Sequence, residues 1–187
     1  MTQQTLLDKL VARTRDNRTA AHALLDLPET ALNYRPGPDR WSALECYAHL
    51  NLSLDNYLPE FERCVAEGQP KGSDDYQTGR IGDYLAKMLL PSENMRKLSA
   101  PKWMKPEGSR LDKSVLREFI AKQDQLITIL QQSEHTDLRR TKCTTRLGWN
   151  IRYQFGDVLR MIAYHNSRHV VQAAGALAQY RQTKTAG

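Results

Sequence analysis

Apolar residues recur at helical spacing in four long stretches of the chain. Across about residues 5–27, Leu6, Leu7, Leu10, Ala21, Leu24 and Leu25 share one side, the rhythm of an amphipathic helix. Thr14 and Asn17 stand in the middle of that side, where apolar residues are expected. Leu27-Pro28 ends the pattern, and residues 33–39, with Pro36-Gly37-Pro38, read as a turn-rich connector. The second stretch opens on Ser42-Ala43-Leu44-Glu45, a capping box in which Ser42 caps and Glu45 reaches back. Trp41 is placed to pack on Cys46 as the accompanying staple. Leu50, Leu54, Tyr57, Leu58, Phe61 and Val65 form the core stripe; His49 lies beside it, with Cys46, Ser53 and Asn56 on its own face. Gly68-Gln69-Pro70 closes the helix.

Residues 68–111 carry, after the closing Gly68 and Pro70, a further Gly72, Gly79, Gly82, Gly108, Pro91, Pro101 and Pro106. They read as a long crossing segment, with one modest helical run over about 81–98 interrupted at Pro91. A third helix spans about 113–132, capped by Asp112, with Leu116, Phe119, Ile120, Leu126, Ile127 and Leu130 on one face and Gln123 interrupting them. A loop with a turn at Gly148-Trp149-Asn150 leads into a fourth helix over about 155–181. Val158, Met161, Ile162, His165, His169, Gln172 and Ala176 line one face of it. No repeat and no strand pair is expected. Four amphipathic helices with one long connection predict an all-α fold, a four-helix bundle in one domain over residues 1–187.

The composition fits a globular chain: 187 residues, 40% hydrophobic and 26% charged. No run of about 18 apolar residues exists to span a membrane, and the polar start lacks a signal-peptide layout. Cys46, Cys64 and Cys143 are far apart in sequence and form no C-x-x-C pair, so neither a disulfide framework nor a cysteine-only zinc site is expected. These features predict a cytoplasmic protein. The net charge of +6 is scattered, its densest spots being residues 139–142 and 102–105. Without a stacking motif or basic recognition helix, it predicts a solvated surface and no specific nucleic-acid partner.

The chemistry concentrates in histidines. His165 and His169 are four residues apart, slightly more than one helical turn, so both rings project to one side and can share a metal. Met161 and Ile162 mark that side as core-facing, where an imidazole needs a partner. Standing alone, the pair is a weak signal and reads first as two core or boundary histidines bonded to neighbouring side chains. His49 on the second helix adds a third imidazole, and three such ligands leave a position for water or substrate. His22 and His135 have no comparable context and read as surface residues.

Three segments carry a resemblance to a known family. Residues 41–50, WSALECYAHL, look like the W-S-x-x-E-x-x-x-H-L opening of helix 2 in the DinB-like superfamily. Residues 165–172, HNSRHVVQ, resemble its H-x-x-R-H-x-x-Q signature on helix 4. Residues 100–106, APKWMKP, are similar to an A-P-x-x-x-x-P element of many members. The resemblance spans about residues 6–180. It implies an up-down-down-up bundle with a long crossover between helices 2 and 3. It also implies a divalent metal, zinc or nickel, held by His49, His165 and His169, with a homodimer as a family-level expectation. Characterised relatives include S-transferases using bacillithiol or mycothiol and a maleylpyruvate isomerase.

Three histidines on a divalent metal can ready either water or a thiol as nucleophile at neutral pH. Zinc suits both, and iron joins nickel as an alternative because imidazole discriminates weakly among these metals. Two readings stand side by side. One is a metal-dependent transferase using a small thiol, or a hydrolase, acting on a small-molecule substrate. The other is a non-catalytic metal-binding bundle used for sensing, storage or protein interaction. Glu45, one turn before His49, is read as a cap, with general base as the rival role. Arg168, about 60 degrees round from His165, either binds an anionic substrate or orients helix 4 through a carboxylate. Gln172 is either a hydrogen-bond partner behind a ligand or a satisfied core amide. Thr14, Asn17 and Gln123 either line a polar cavity or meet solvent. Trp41, Trp103, Trp149 and Cys46 read as packing residues.

Overall fold

The computed structural model describes residues 1–91, 104–106, 110–145 and 151–185. Among them the chain forms α1 (Gln3–His22), α2 (Glu29–Leu32), α3 (Ala43–Glu67), α4 (Arg80–Met88), α5 (Ser114–Gln132), β1 (Lys142–Thr144), β2 (Arg152–Gln154) and α6 (Phe155–Thr185). A 3-10 turn, Ser133–His135, follows α5 directly. The described structure is thus mostly helical. Helix α1 packs against α5 and α6, α3 packs against the same two helices, and α4 lies on α6. The core they share includes Leu6, Leu10, Leu50, Leu54, Phe61, Leu116, Phe119, Leu126, Val158 and Ile162.

The start of α3 follows from its sequence. Ser42 Oγ accepts from Glu45 N–H, and Glu45 Oε2 accepts from Ser42 N–H at 2.9 Å, so two otherwise orphaned donors are satisfied. At α5, Asp112 Oδ1 accepts from Ser114 N–H at 2.6 Å. Helix α1 is capped by Thr2, whose hydroxyl accepts from Thr5 N–H, and it ends at His22 rather than near residue 27. From Leu24 onward the backbone tightens into i→i−3 bonds, Leu24 to Ala21, Leu25 to His22 and Leu27 to Leu24, which preserve the apolar side while leaving the α-helix.

Other differences from the sequence-based expectation have physical causes. A strand pair exists: β1 and β2 are antiparallel, with Lys142 opposite Gln154, Cys143 opposite Tyr153 and Thr144 opposite Arg152. Strands of three residues are too short for alternation to register as a pattern. Thr14, Asn17 and Gln123 do not meet solvent; all three are buried. Thr14 donates to Leu10 O, and Asn17 Oδ1 accepts from Ser167 Oγ at 3.1 Å. Helix α4 ends at Met88, and the rest of the expected 81–98 run lies outside the described residues beyond residue 91, as do Trp103, Trp149 and the turn at 148–150. Helix α4 also turns Ile81, Tyr84 and Met88 outward, an exposed apolar stripe at i, i+3, i+7.

A buried carboxylate on α6 takes a central part in fastening the crossing segment. Asp157 accepts from Tyr76 Oη at 2.7 Å and from Gly79 N–H at 2.9 Å, and Arg160 reaches both Asp157 and Asp83. A Cβ on Gly82 would stand 2.3 Å from Asp157 Oδ2, so only glycine lets α4 approach α6 this closely. Arg168 Nη1 donates to Met88 O at 3.4 Å, at the other end of α4.

Candidate metal centre

His49 sits two turns into α3, while His165 and His169 lie one turn apart on α6. Because α3 packs on α6, the three rings meet. Their centroids are 5.0, 4.5 and 4.7 Å apart. One nitrogen from each lies within 4.8 Å of the others. His49 is buried and the other two are half-buried. Trp41, just before α3, lays its indole beside His49 and His169, with centroids at 4.9 and 5.8 Å. The residue expected to staple Cys46 thus packs on the histidines.

Hydrogen bonds decide which nitrogen two of the rings offer. His49 Nδ1 lies 2.7 Å from Met104 O. A carbonyl oxygen only accepts, so Nδ1 carries the proton and Nε2 keeps a lone pair. His169 Nδ1 lies 3.0 Å from Gln172 Oε1, with the same consequence. His165 Nε2 faces His49 Nε2 at 3.1 Å. Two nitrogen lone pairs at that distance repel unless a proton or a cation lies between them. Two nitrogens bound at about 2.0–2.1 Å to one tetrahedral zinc stand about 3.3 Å apart, so the donor set fits a divalent metal.

Electrostatics keep these imidazoles neutral. Burial lowers His49 below its ordinary value, against the opposing hydrogen bond to Met104. Burial lowers His165 well below it, and the neighbouring His169, His49 and Arg168 add to the effect. Burial, with the charge of His49 next, brings His169 to about 3. At neutral pH each ring is therefore in the form that binds metal. Burial raises the Cys46 thiol, consistent with a packing role.

The remaining sequence-derived candidates fall in different places. Gln172 stands behind His169, an acceptor that orients its ring. Glu45 completes its capping box and is held by Arg35, whose Nε donates to Oε2 at 2.8 Å and whose Nη2 bonds Oε1. Arg168 is buried and ties α6 to the end of α4. His22 and His135 are exposed, as expected. Met104 was absent from the expected set, although it lies inside the 100–106 segment that carried part of the resemblance. A backbone carbonyl has no side-chain signature, so only that segment pointed towards it.

The fold and the three imidazoles together define a helical protein with a candidate histidine metal centre. A model of the DinB superfamily matches residues 12–173, a span that includes all three histidines. The chain belongs to the DinB superfamily. No curated protein and no solved structure matches it closely enough to count as a relative.

Proposed function

We propose that this chain is a metal-dependent enzyme of the DinB type, in which Nε2 of His49, His165 and His169 hold one divalent ion, zinc or nickel first and iron as an alternative. It would transfer a small thiol to an electrophile, or hydrolyse a small molecule. The observation that carries the reading is the convergence of three neutral imidazoles, two with their Nδ1 protons anchored on Met104 O and Gln172 Oε1. The bound metal would supply Lewis acidity, stabilising a thiolate or hydroxide at neutral pH. The protein's part is orientation and exclusion of water. Met104 and Gln172 fix the ring tautomers, Trp41 walls one side, and the Asp157 and Arg168 contacts hold the crossing segment on α6.

The same reading assigns an up-down-down-up four-helix bundle with its crossover between α3 and α5, a cytoplasmic setting, a small-molecule partner and a homodimer. One observation favours a non-catalytic metal-binding role instead. Glu45, the acid nearest His49 on α3, is engaged by Ser42 and Arg35. Elemental analysis of protein expressed without a histidine tag, beside the triple variant His49→Ala, His165→Ala, His169→Ala, tests the centre. Near-stoichiometric metal is expected in the parent and none in the folded variant. A parent that is empty and refuses added zinc, nickel and iron would sink the reading. A panel of thiols with electrophiles then separates enzyme from metal-binding bundle, with turnover expected to vanish in His165→Ala.

A further inference from the structure

At the opposite end of α3 from its capping box, a second group of reactive side chains meets. Cys64, in the last turn of α3, and Cys143, in the middle of β1, are both buried and both free thiols. Their sulfurs and a Glu60 oxygen lie within 4.8 Å of one another. The cysteines are far apart in sequence, and the packing of β1 on α3 brings them together. Each sulfur also lies near a backbone carbonyl, Cys64 Sγ 3.7 Å from Lys142 O and Cys143 Sγ 3.8 Å from Thr144 O.

The neighbours argue for thiol chemistry rather than a second metal. Glu60 is already engaged on both oxygens: Arg63 donates to them at 2.7 and 2.8 Å, and Thr144 N–H donates to Oε1 at 2.6 Å. The positive charge that a metal would bring is supplied by that guanidinium, whose Nη2 lies 3.8 Å from Cys64 Sγ. A cation beside a sulfur favours the thiolate, the reactive form. The hydrogen bond with Cys143 lowers the Cys64 thiol from its ordinary value and raises that of Cys143. The Arg63 side chain is 38% exposed, so Cys64 lies one layer beneath solvent.

We propose that Cys64 and Cys143 form a redox-active dithiol that a small peroxide converts to an intramolecular disulfide, stapling the end of α3 to β1. The Cys64 thiolate attacks one peroxide oxygen. An S–O bond forms, the O–O bond breaks, and the other oxygen leaves as hydroxide, which becomes water by taking the proton that the Cys64 thiol gave up. The resulting sulfenic acid is then attacked by the Cys143 sulfur. An S–S bond forms, the S–O bond breaks, and a second water leaves. In sum, two thiols and one hydrogen peroxide give one disulfide and two waters, the sulfurs losing the two electrons that the peroxide gains. The site is independent of the histidine centre, and so is its test.

Reduced wild-type protein is treated with hydrogen peroxide, quenched by alkylation in denaturant, digested without reductant and read by mass spectrometry. The expected product is a peptide linking Cys64 to Cys143, two hydrogens lighter than the pair, with Cys46 still alkylated and dithiothreitol reversing the change. Arg63→Gln should slow its formation severalfold, and Cys46→Ser should leave the rate unchanged. Alkylated thiols at both positions after treatment would overturn the proposal. So would separate sulfinic acids, or bridges to Cys46 or to a second chain. Protection of both thiols by zinc alone in the triple histidine variant would also overturn it, in favour of a soft-metal site.

Discussion

Gln172 and Met104 do what the spacing of the histidines alone cannot: they choose the nitrogen. Each accepts the Nδ1 proton of one ring and so leaves Nε2 as donor. Partners of this kind are worth about 10–100-fold in metal affinity. Gln172→Ala should weaken binding within that range, with unchanged helical content, while Gln172→Glu, which keeps an acceptor, should recover most of it. Competition titration against a chromophoric chelator measures both. His165 and His169 were legible in the sequence because four-residue spacing on a helix has one geometric outcome. The rest was less legible for a physical reason. Met104 acts through its backbone, and Trp41 turns towards residues on two different helices, which no local pattern encodes.

At the scale of elements, the helix starts were readable because capping chemistry is local. The capping box of α3 also assigns Glu45 a structural task. Ser42→Ala should cost about 1 kcal/mol. Glu45→Ala should cost more, since it also strands Arg35, whereas Glu45→Gln should retain bound metal. Urea unfolding and metal analysis of the three variants check this, and a Glu45→Gln protein that kept its metal but lost all turnover would return Glu45 to the catalytic list. The β1–β2 pair was not readable, because three residues in each strand are too few for alternation to show. Glu60 on α3 pins that pair through Thr144 N–H. Arg63 chiefly, aided by Thr144, holds its carboxyl below the ordinary value of 4.5. A carboxylate depressed in the folded state takes its proton more readily when unfolded. Its contribution is therefore present above pH 4.5 and is lost as the pH falls below it. Glu60→Gln should lower stability at pH 7 and flatten this acid limb, as read by unfolding midpoints between pH 7 and 3.

Taken whole, the molecule places its two chemical sites on one helix. His49 is near the start of α3 and Cys64 near its end, separated by about 22 Å of helix at 1.5 Å per residue. Apolar periodicity made the four long helices legible. It did not reveal that β1 returns to α3, or that the buried carboxylate of Asp157 helps hold the crossing segment on α6. The contact of Trp41 with His49 and His169 gives the whole protein an optical property. An indole lying against the imidazoles should register what they bind, so the intrinsic emission of the protein is expected to follow metal added to it. Nickel, an open-shell ion, should quench that emission on binding and zinc should only shift it. Trp41→Phe should diminish either response. A cuvette and a metal titration would then show whether the centre is loaded, with no substrate in hand.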